Sequence, residues 1–143
     1  MAKRILVPIG RNEADRAVVS LVADMARTSG ATVRLLHVAP VPKERIAENG
    51  RVVAYADQEM ERIEFARRDD LRPAEAELEG VPVESVVRFG DRVEEILNEA
   101  EAFGADLIAV SGRRPGWGPR GLGGVVSPLM RRSPTPVLLL AAQ

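Results

Sequence analysis

The chain has 143 residues, 45% of them hydrophobic, and a formal net charge of −1, which fits a single compact domain over residues 1–143 and leaves no room for a second of ordinary size. It contains no cysteine and one histidine, which removes disulfide frameworks, thiolate nucleophiles and cysteine metal sites, and weakens any histidine-based metal centre or Ser-His-Asp triad. The chain has no run of about 18 apolar residues, and the apolar segment at its start is too short for the core of a signal peptide, so a cytoplasmic protein with no membrane span is expected.

The charge is unevenly spread. Residues 1–56 carry 9 basic and 5 acidic groups, 57–106 carry 6 and 16, and 107–143 carry 5 and none. The acidic middle argues against nucleic acid as a partner and reads as solvated helix faces, while the acid-free end allows a local site for a small anion.

Taken in chain order, Arg4-Ile-Leu-Val-Pro-Ile9 is a nearly continuous apolar run, as expected of a central strand buried on both faces of a parallel sheet. Asn12 is a plausible helix cap, after which Ala14, Ala17, Val18, Leu21, Val22, Met25 and Ala26 recur at helical spacing up to a stop near Gly30. Thr32 to Val38 is the second strand. Ala39-Pro-Val-Pro leaves it into a polar connection without a clear pattern before about Val53. A long helical segment follows over roughly 53–79, with Ala56, Met60, Ile63, Ala74 and Leu78 at helical spacing, Gly80 as its stop and Pro73 interrupting it. A proline inside a helix removes a donor and clashes with the preceding turn, so a bend, or a restart with Pro73 in a new first turn, is expected.

Val83 to Arg88 is the third strand, and Asp91 with Glu94 has capping-box spacing ahead of Val93, Ile96, Leu97 and Ala100. Strand four (Leu107 to Val110), a glycine-rich loop, a short helix and strand five (Val137 to Leu140) complete the chain. The class is α/β with a five-stranded, mainly parallel sheet. Right-handed crossovers allow the strand order 3-2-1-4-5, with a topological switch between strands one and four, where ligands bind beyond the carboxyl ends. The bordering segments are Gly10-Arg-Asn12, the end of strand two near Val38, and Ser111 to Gly124. That last stretch carries Arg113, Arg114 and Arg120 among its glycines and no acid, so it could bring backbone N–H groups and positive charge close to an anion at a helix start.

The single residues have plain readings beside this one. His37, in a buried-looking strand with no neighbouring histidine or cysteine, reads as a hydrogen-bonded structural imidazole. Trp117 reads as a loop anchor, and Arg131 and Arg132 complement the dipole of a short helix. No Gly-x-x-x-x-Gly-Lys-Ser/Thr phosphate loop, Gly-x-Ser-x-Gly elbow or paired metal ligands occur, so no enzyme is expected and no metal site is assigned.

Lys3-Arg-Ile-Leu-Val-Pro, Leu35-Leu-His-Val38, Phe89-Gly-Asp91 before a Glu-Glu-Ile helix, Gly104-Ala-Asp-Leu-Ile108 and Ser133-Pro-Thr-Pro-Val-Leu-Leu together resemble the universal stress protein family over nearly the whole chain. The resemblance implies a Rossmann-like domain with helices on both faces of the sheet, a dimer, and in one branch ATP binding. That branch has an acid just after strand one and a Gly-x-x-Gly, nine residues, Gly-Ser/Thr pattern after strand four. Here the acidic position is Gly10. Depending on register, the first two pattern glycines fall on Ser111 and Arg114 or on Val110 and Arg113, and only Gly123 or Gly124 survives. The hydroxyl position becomes Gly124 or Val125, with Ser127 one turn further on. Val38 matches a position whose backbone approaches adenine in the family. A side chain at a close-approach position fills volume a triphosphate would take, whereas Arg113 and Arg114 could bond phosphate directly.

The candidate ligand residues are therefore Gly10, Val38, Ser111, Gly112, Arg113, Arg114, Gly123, Gly124, Val125 and Ser127. ATP is the candidate cofactor, and the lost glycines argue against it. Val137, Leu138, Leu139 and Leu140 form an apolar strand expected at the sheet edge, where a two-fold homodimer would pair it with its mate. The expected function is a stress-response interaction module, acting on an unidentified protein client, with lost or altered ATP binding. The alternative is a sensor that binds a nucleotide or other small anionic phosphate ligand through the arginine-glycine loop.

Overall fold

A computed structural model of the chain describes residues 2–10, 14–43, 45–46, 48–112 and 123–141. Its elements run β1 (Arg4–Pro8), α1 (Ala14–Ser29), β2 (Thr32–Ala39), β3 (Arg45–Ile46), β4 (Val52–Ala54), α2 (Ala56–Asp70), α3 (Arg72–Glu77), β5 (Val83–Phe89), α4 (Arg92–Phe103), β6 (Leu107–Gly112), α5 (Gly123–Arg132) and β7 (Val137–Ala141). Five of the strands form one sheet in the order β5-β2-β1-β6-β7, and every pairing in it is parallel. This is the Rossmann-like 3-2-1-4-5 arrangement expected from the alternation of strand and helix, once β3 and β4 are set aside. Among the described residues no helix is long and apolar enough to cross a membrane.

Strand alternation divides the core into two layers. Ile5 and Val7 of β1 and Val33 and Leu35 of β2 face α1 and α3, meeting Val18, Val19, Val22 and Leu78. Leu6, Leu36 and Val38 point the opposite way, toward Ile96, Ala100 and Phe103 of α4 and Val126 and Leu129 of α5. The buried face of α1 is Asp15, Val18, Val19, Val22, Ala23 and Ala26. It is rotated from the stripe expected from sequence: Leu21, with 37% of its surface exposed, and Ala17 turn outward, and Val19 and Ala23 take their places. The expected cap Asn12 lies outside the described residues.

The connection after β2 is corrected by the structure. β3 and β4 pair antiparallel as a small hairpin, so Val52–Ala54 is strand and the helix begins only at Ala56. The turn has a local cause. Gly50 adopts φ +81°, a left-handed conformation that glycine reaches without steric cost, and Asn49 Oδ1 accepts the Arg51 N–H at 3.0 Å. The restart at Pro73 is present: α2 ends, Leu71 is buried between the two helices, and Pro73 sits in the first turn of α3, where its missing N–H has no partner to lose. Asp91 caps α4, its Oδ2 accepting the Glu94 N–H at 3.0 Å.

Candidate functional site

The strand order reverses between β1 and β6, and the helices next in the chain, α1 and α5, pack on opposite faces of the sheet, an arrangement that opens a crevice beyond the strands' carboxyl ends. A cleft of about 590 Å³ occupies that position, a size suited to a small organic ligand. Its floor is made by Pro8 at the end of β1 with Ile9 and Gly10 after it, by His37 and Val38 of β2, and by Val110 and Ser111 of β6. Helix α2 contributes Arg62, Ile63, Ala66 and Arg67, the start of α4 contributes Arg92 and Ile96, and α5 contributes Val125 and Val126.

Asp15, in the first turn of α1, closes one end. The residue is 8% exposed, Oδ2 accepts the Gly10 N–H at 2.8 Å, and Oδ1 accepts the Ser111 hydroxyl at 2.6 Å. One carboxylate thus joins the end of β1, the start of α1 and the end of β6. Both donors are satisfied by it, as buried polar groups require. Gly10 lacks the acid expected just after the first strand, and Asp15 supplies one to the same corner: a Cβ built on Gly10 would lie 3.6 Å from Asp15 Oδ2.

His37 Nδ1 lies 2.9 Å from the Ile9 carbonyl oxygen. A carbonyl only accepts, so Nδ1 carries the proton and Nε2 of the neutral ring is left as an acceptor. Burial pushes the imidazole below its usual pKa, and the positive charges of Arg67 and Arg92 push the same way, against the Ile9 carbonyl and Asp70.

The cations of the cleft come from α2 and α4. Arg62 Nη2 donates to Glu59 Oε2 at 2.8 Å. Arg67 Nε lies 3.3 Å from Asp70 Oδ2, and that nitrogen is buried without a hydrogen bond of good geometry among the described residues. Arg92 has no ion pair among the described residues. Glu59 and Asp70 do not line the cleft, whereas all three arginines do. Among the described residues no group of three His, Cys, Asp or Glu side chains is placed to hold a metal ion.

Of the residues singled out from sequence, Gly10, Val38, Ser111 and Val125 come together at this cleft. Gly112 serves packing: an added Cβ would stand 3.0 Å from Val126 Cγ2 and 3.2 Å from Leu139 Cδ1. Gly123, Gly124 and Ser127 belong to the start of α5; Gly124 and Ser127 do not line the cleft, and Ser127 Oγ accepts from Arg131 Nη1 at 3.2 Å. Arg113 and Arg114, like Trp117 and Arg120, lie outside the described residues. Asp15, Arg62, Arg67 and Arg92 were not anticipated. For Asp15 the signal was present, since it stands three and four residues before Val18 and Val19 on the buried face of α1. The arginines were hidden in a stretch whose composition is that of solvated helix.

The universal stress protein family matches the chain over residues 1–141. Among solved structures, the chain is similar to the hypothetical protein MJ0577, at 23% identity with a TM-score of 0.81, covering 99% of this chain and 96% of that one. It is also similar to a universal stress protein solved in complex with cAMP, at 18% identity and a TM-score of 0.71, covering 98% and 97%. A third is the universal stress protein from Archaeoglobus fulgidus in complex with dAMP, at 18% identity and a TM-score of 0.63, covering 96% of each chain. At these identities the structures speak for the fold. A comparison with curated proteins gave no match. The family match, spanning both layers of the core and every strand of the sheet, places the chain: it belongs to the universal stress protein family.

Proposed function

We propose that this chain is a non-catalytic, cytoplasmic stress-response module whose cleft takes a small adenine nucleotide with a single phosphate, in a pose altered from that of ATP. The observation that carries this reading is the buried Asp15 carboxylate beside Gly10 and Ser111. Each of its oxygens already accepts one donor and keeps a lone pair, so a ribose hydroxyl can donate to it. A polyphosphate laid along the end of β6 would instead bring its charge against that carboxylate. The side chain at either register of the first pattern glycine, Val110 or Ser111, adds a steric obstacle. The universal stress proteins solved with cAMP and dAMP hold ligands with one phosphate, which agrees with this size and charge. Val38 lines the cleft, and in this reading the base lies against it. The module would work as a homodimer joined through β7 and would present its liganded or empty form to a protein client.

Thermal unfolding with AMP, cAMP, ADP and ATP tests the reading. A ligand at about 100 times its dissociation constant stabilises by roughly 2.7 kcal/mol, which raises the midpoint by about 5–10 °C in a domain of this length. AMP and cAMP should produce that shift at lower concentration than ATP. A larger response to ATP would overturn the altered pose. No response to any of them would leave an interaction module without a nucleotide, the reading favoured by the replacement of pattern glycines with Arg113 or Arg114.

A further inference from the structure

The two ends of the cleft carry opposite charge. Asp15 stands at the β1–β6 end, its carboxylate tied to Gly10 and Ser111, and Arg62, Arg67 and Arg92 stand on the wall made by α2 and α4. We propose that this arginine wall, and not the glycine-rich segment after β6, holds the phosphate of the ligand, with the ligand's hydroxyl groups directed to Asp15. The inference deepens the reading of the cleft as a nucleotide site and rests on it.

Three features of the wall suit a phosphate. Its counter-charges, Glu59 and Asp70, are not among the residues lining the cleft, whereas the three arginines are, so the lining of this wall carries more positive than negative charge. The pairing is also incomplete. Arg67 keeps a buried Nε without a good hydrogen bond among the described residues, and Arg92 has no ion pair there. Arg92 is exposed and lines the cleft, and a guanidinium without an ion pair matches the fork geometry of phosphate oxygens. Finally, the wall is built on two helices, which hold side chains more firmly than a loop does. Burial is the main cause of the lowered His37 pKa, and Arg67 and Arg92 add to it while Asp70 opposes them, so all three charges lie within electrostatic reach of the floor.

The opposite end suits a donor and disfavours an anion. Ser111 directs its hydroxyl proton to Asp15, so it has none to offer a phosphate. A carboxylate beside it repels one. A ligand that is anionic at one end and rich in hydroxyls at the other therefore lies along the cleft in one direction only. A phosphorylated sugar has that character, and so does the ribose 5-phosphate part of a nucleoside monophosphate.

Calorimetric titration of the full chain with AMP, adenosine and ribose 5-phosphate separates the possibilities, using the wild type, Arg92→Gln, Arg92→Glu and Arg67→Gln. Loss of a charge-assisted hydrogen bond weakens binding by about 10-fold or more. AMP and ribose 5-phosphate should weaken by that factor in Arg92→Gln and Arg67→Gln and further in Arg92→Glu, with adenosine unchanged. Arg92 is exposed, so its variants should unfold at the wild-type midpoint and keep the test valid if Arg67→Gln does not fold. Unchanged AMP binding in the Arg92 variants, with loss in Arg113→Gln/Arg114→Gln, would overturn the arginine wall and leave the nucleotide reading intact. Ribose 5-phosphate binding that depends on Arg92 without any AMP binding would uphold the wall and overturn the nucleotide. No binding of any of the three to the wild type would overturn both.

Discussion

His37 and Asp15 sit on the same floor and differ in what the sequence reveals of them. The histidine is readable because its strand is apolar and no ligating neighbour accompanies it, which leaves a hydrogen-bonded structural imidazole, and Nδ1 does meet the Ile9 carbonyl. Asp15 was not read, because an acid in a first helical turn is ordinary on a solvated surface. Its spacing before Val18 and Val19 places it on the buried face of α1, but its partner Ser111 lies at the end of β6, 96 residues away in sequence, which no local pattern reports. The histidine gives a pH dependence. Its folded-state pKa is lowered from 6.5, so as the pH falls through about 6.5 the unfolded chain takes up a proton that the folded chain refuses. Stability from this group is complete above that pH, declines from there down to the lowered pKa, and then levels off. The charged groups acting on the ring are Arg67 and Arg92, which deepen the effect, and Asp70, which opposes it. Urea unfolding across this range should show the wild type losing stability relative to His37→Gln as the pH drops. A difference independent of pH would refute it.

At the scale of elements, runs such as Ile5-Leu-Val7 and Ile108-Ala-Val110 declare buried parallel strands because both faces of the sheet are covered by helices. The β3–β4 hairpin escaped because its strands are two and three residues long, too short to display a period. Asn49-Gly50 was its only local signal. The rotated face of α1 has a similar cause: Leu21 and Ala17 are apolar without being buried, and hydrophobic spacing alone cannot say which of two adjoining stripes faces the sheet. A charged cluster holding elements together was equally invisible. Glu99 of α4 is buried, Oε2 accepts Arg34 Nη1 of β2 at 2.9 Å, and Oε1 accepts Arg88 Nε of β5 at 2.8 Å. The Arg34 guanidinium also pairs with Glu84 and lies 4.4 Å from the centre of the Phe103 ring. Removing one member of a buried ionic cluster strands the others. Glu99→Ala should cost about 3 kcal/mol, near the low end for such losses because Arg34 retains Glu84 and Arg88 reaches water. The urea midpoint measures it, and a loss below about 0.5 kcal/mol, the size of a surface change, would mean that the cluster is ornamental to stability.

For the molecule as a whole, strand order was legible because few topologies satisfy short, right-handed connections, and the order fixes which strands are edges. The two edges differ. β5 carries Glu84 and Arg88 in Val83–Phe89, and charges of this kind discourage pairing with another chain. β7, Val137–Ala141, carries no charge and pairs on one side only, with β6. Leu138 and Leu140 pack on one core layer and Val137 and Leu139 on the other, yet every residue of the strand remains only half-buried. Its outer N–H and C=O groups and the rims of its leucines therefore need a cover that the other described elements do not provide. A second copy supplies one in closed form: two β7 strands related by a two-fold axis run antiparallel, and each satisfies the other without leaving a further apolar edge. Sedimentation equilibrium at micromolar concentration should return the mass of a dimer. Amide hydrogen exchange adds the location, since protection along Val137–Ala141 should fall as dilution drives dissociation, while β1 amides at the sheet centre stay protected. A monomer at all concentrations would overturn the arrangement, and a dimer whose β7 protection ignores dilution would move the interface to another face.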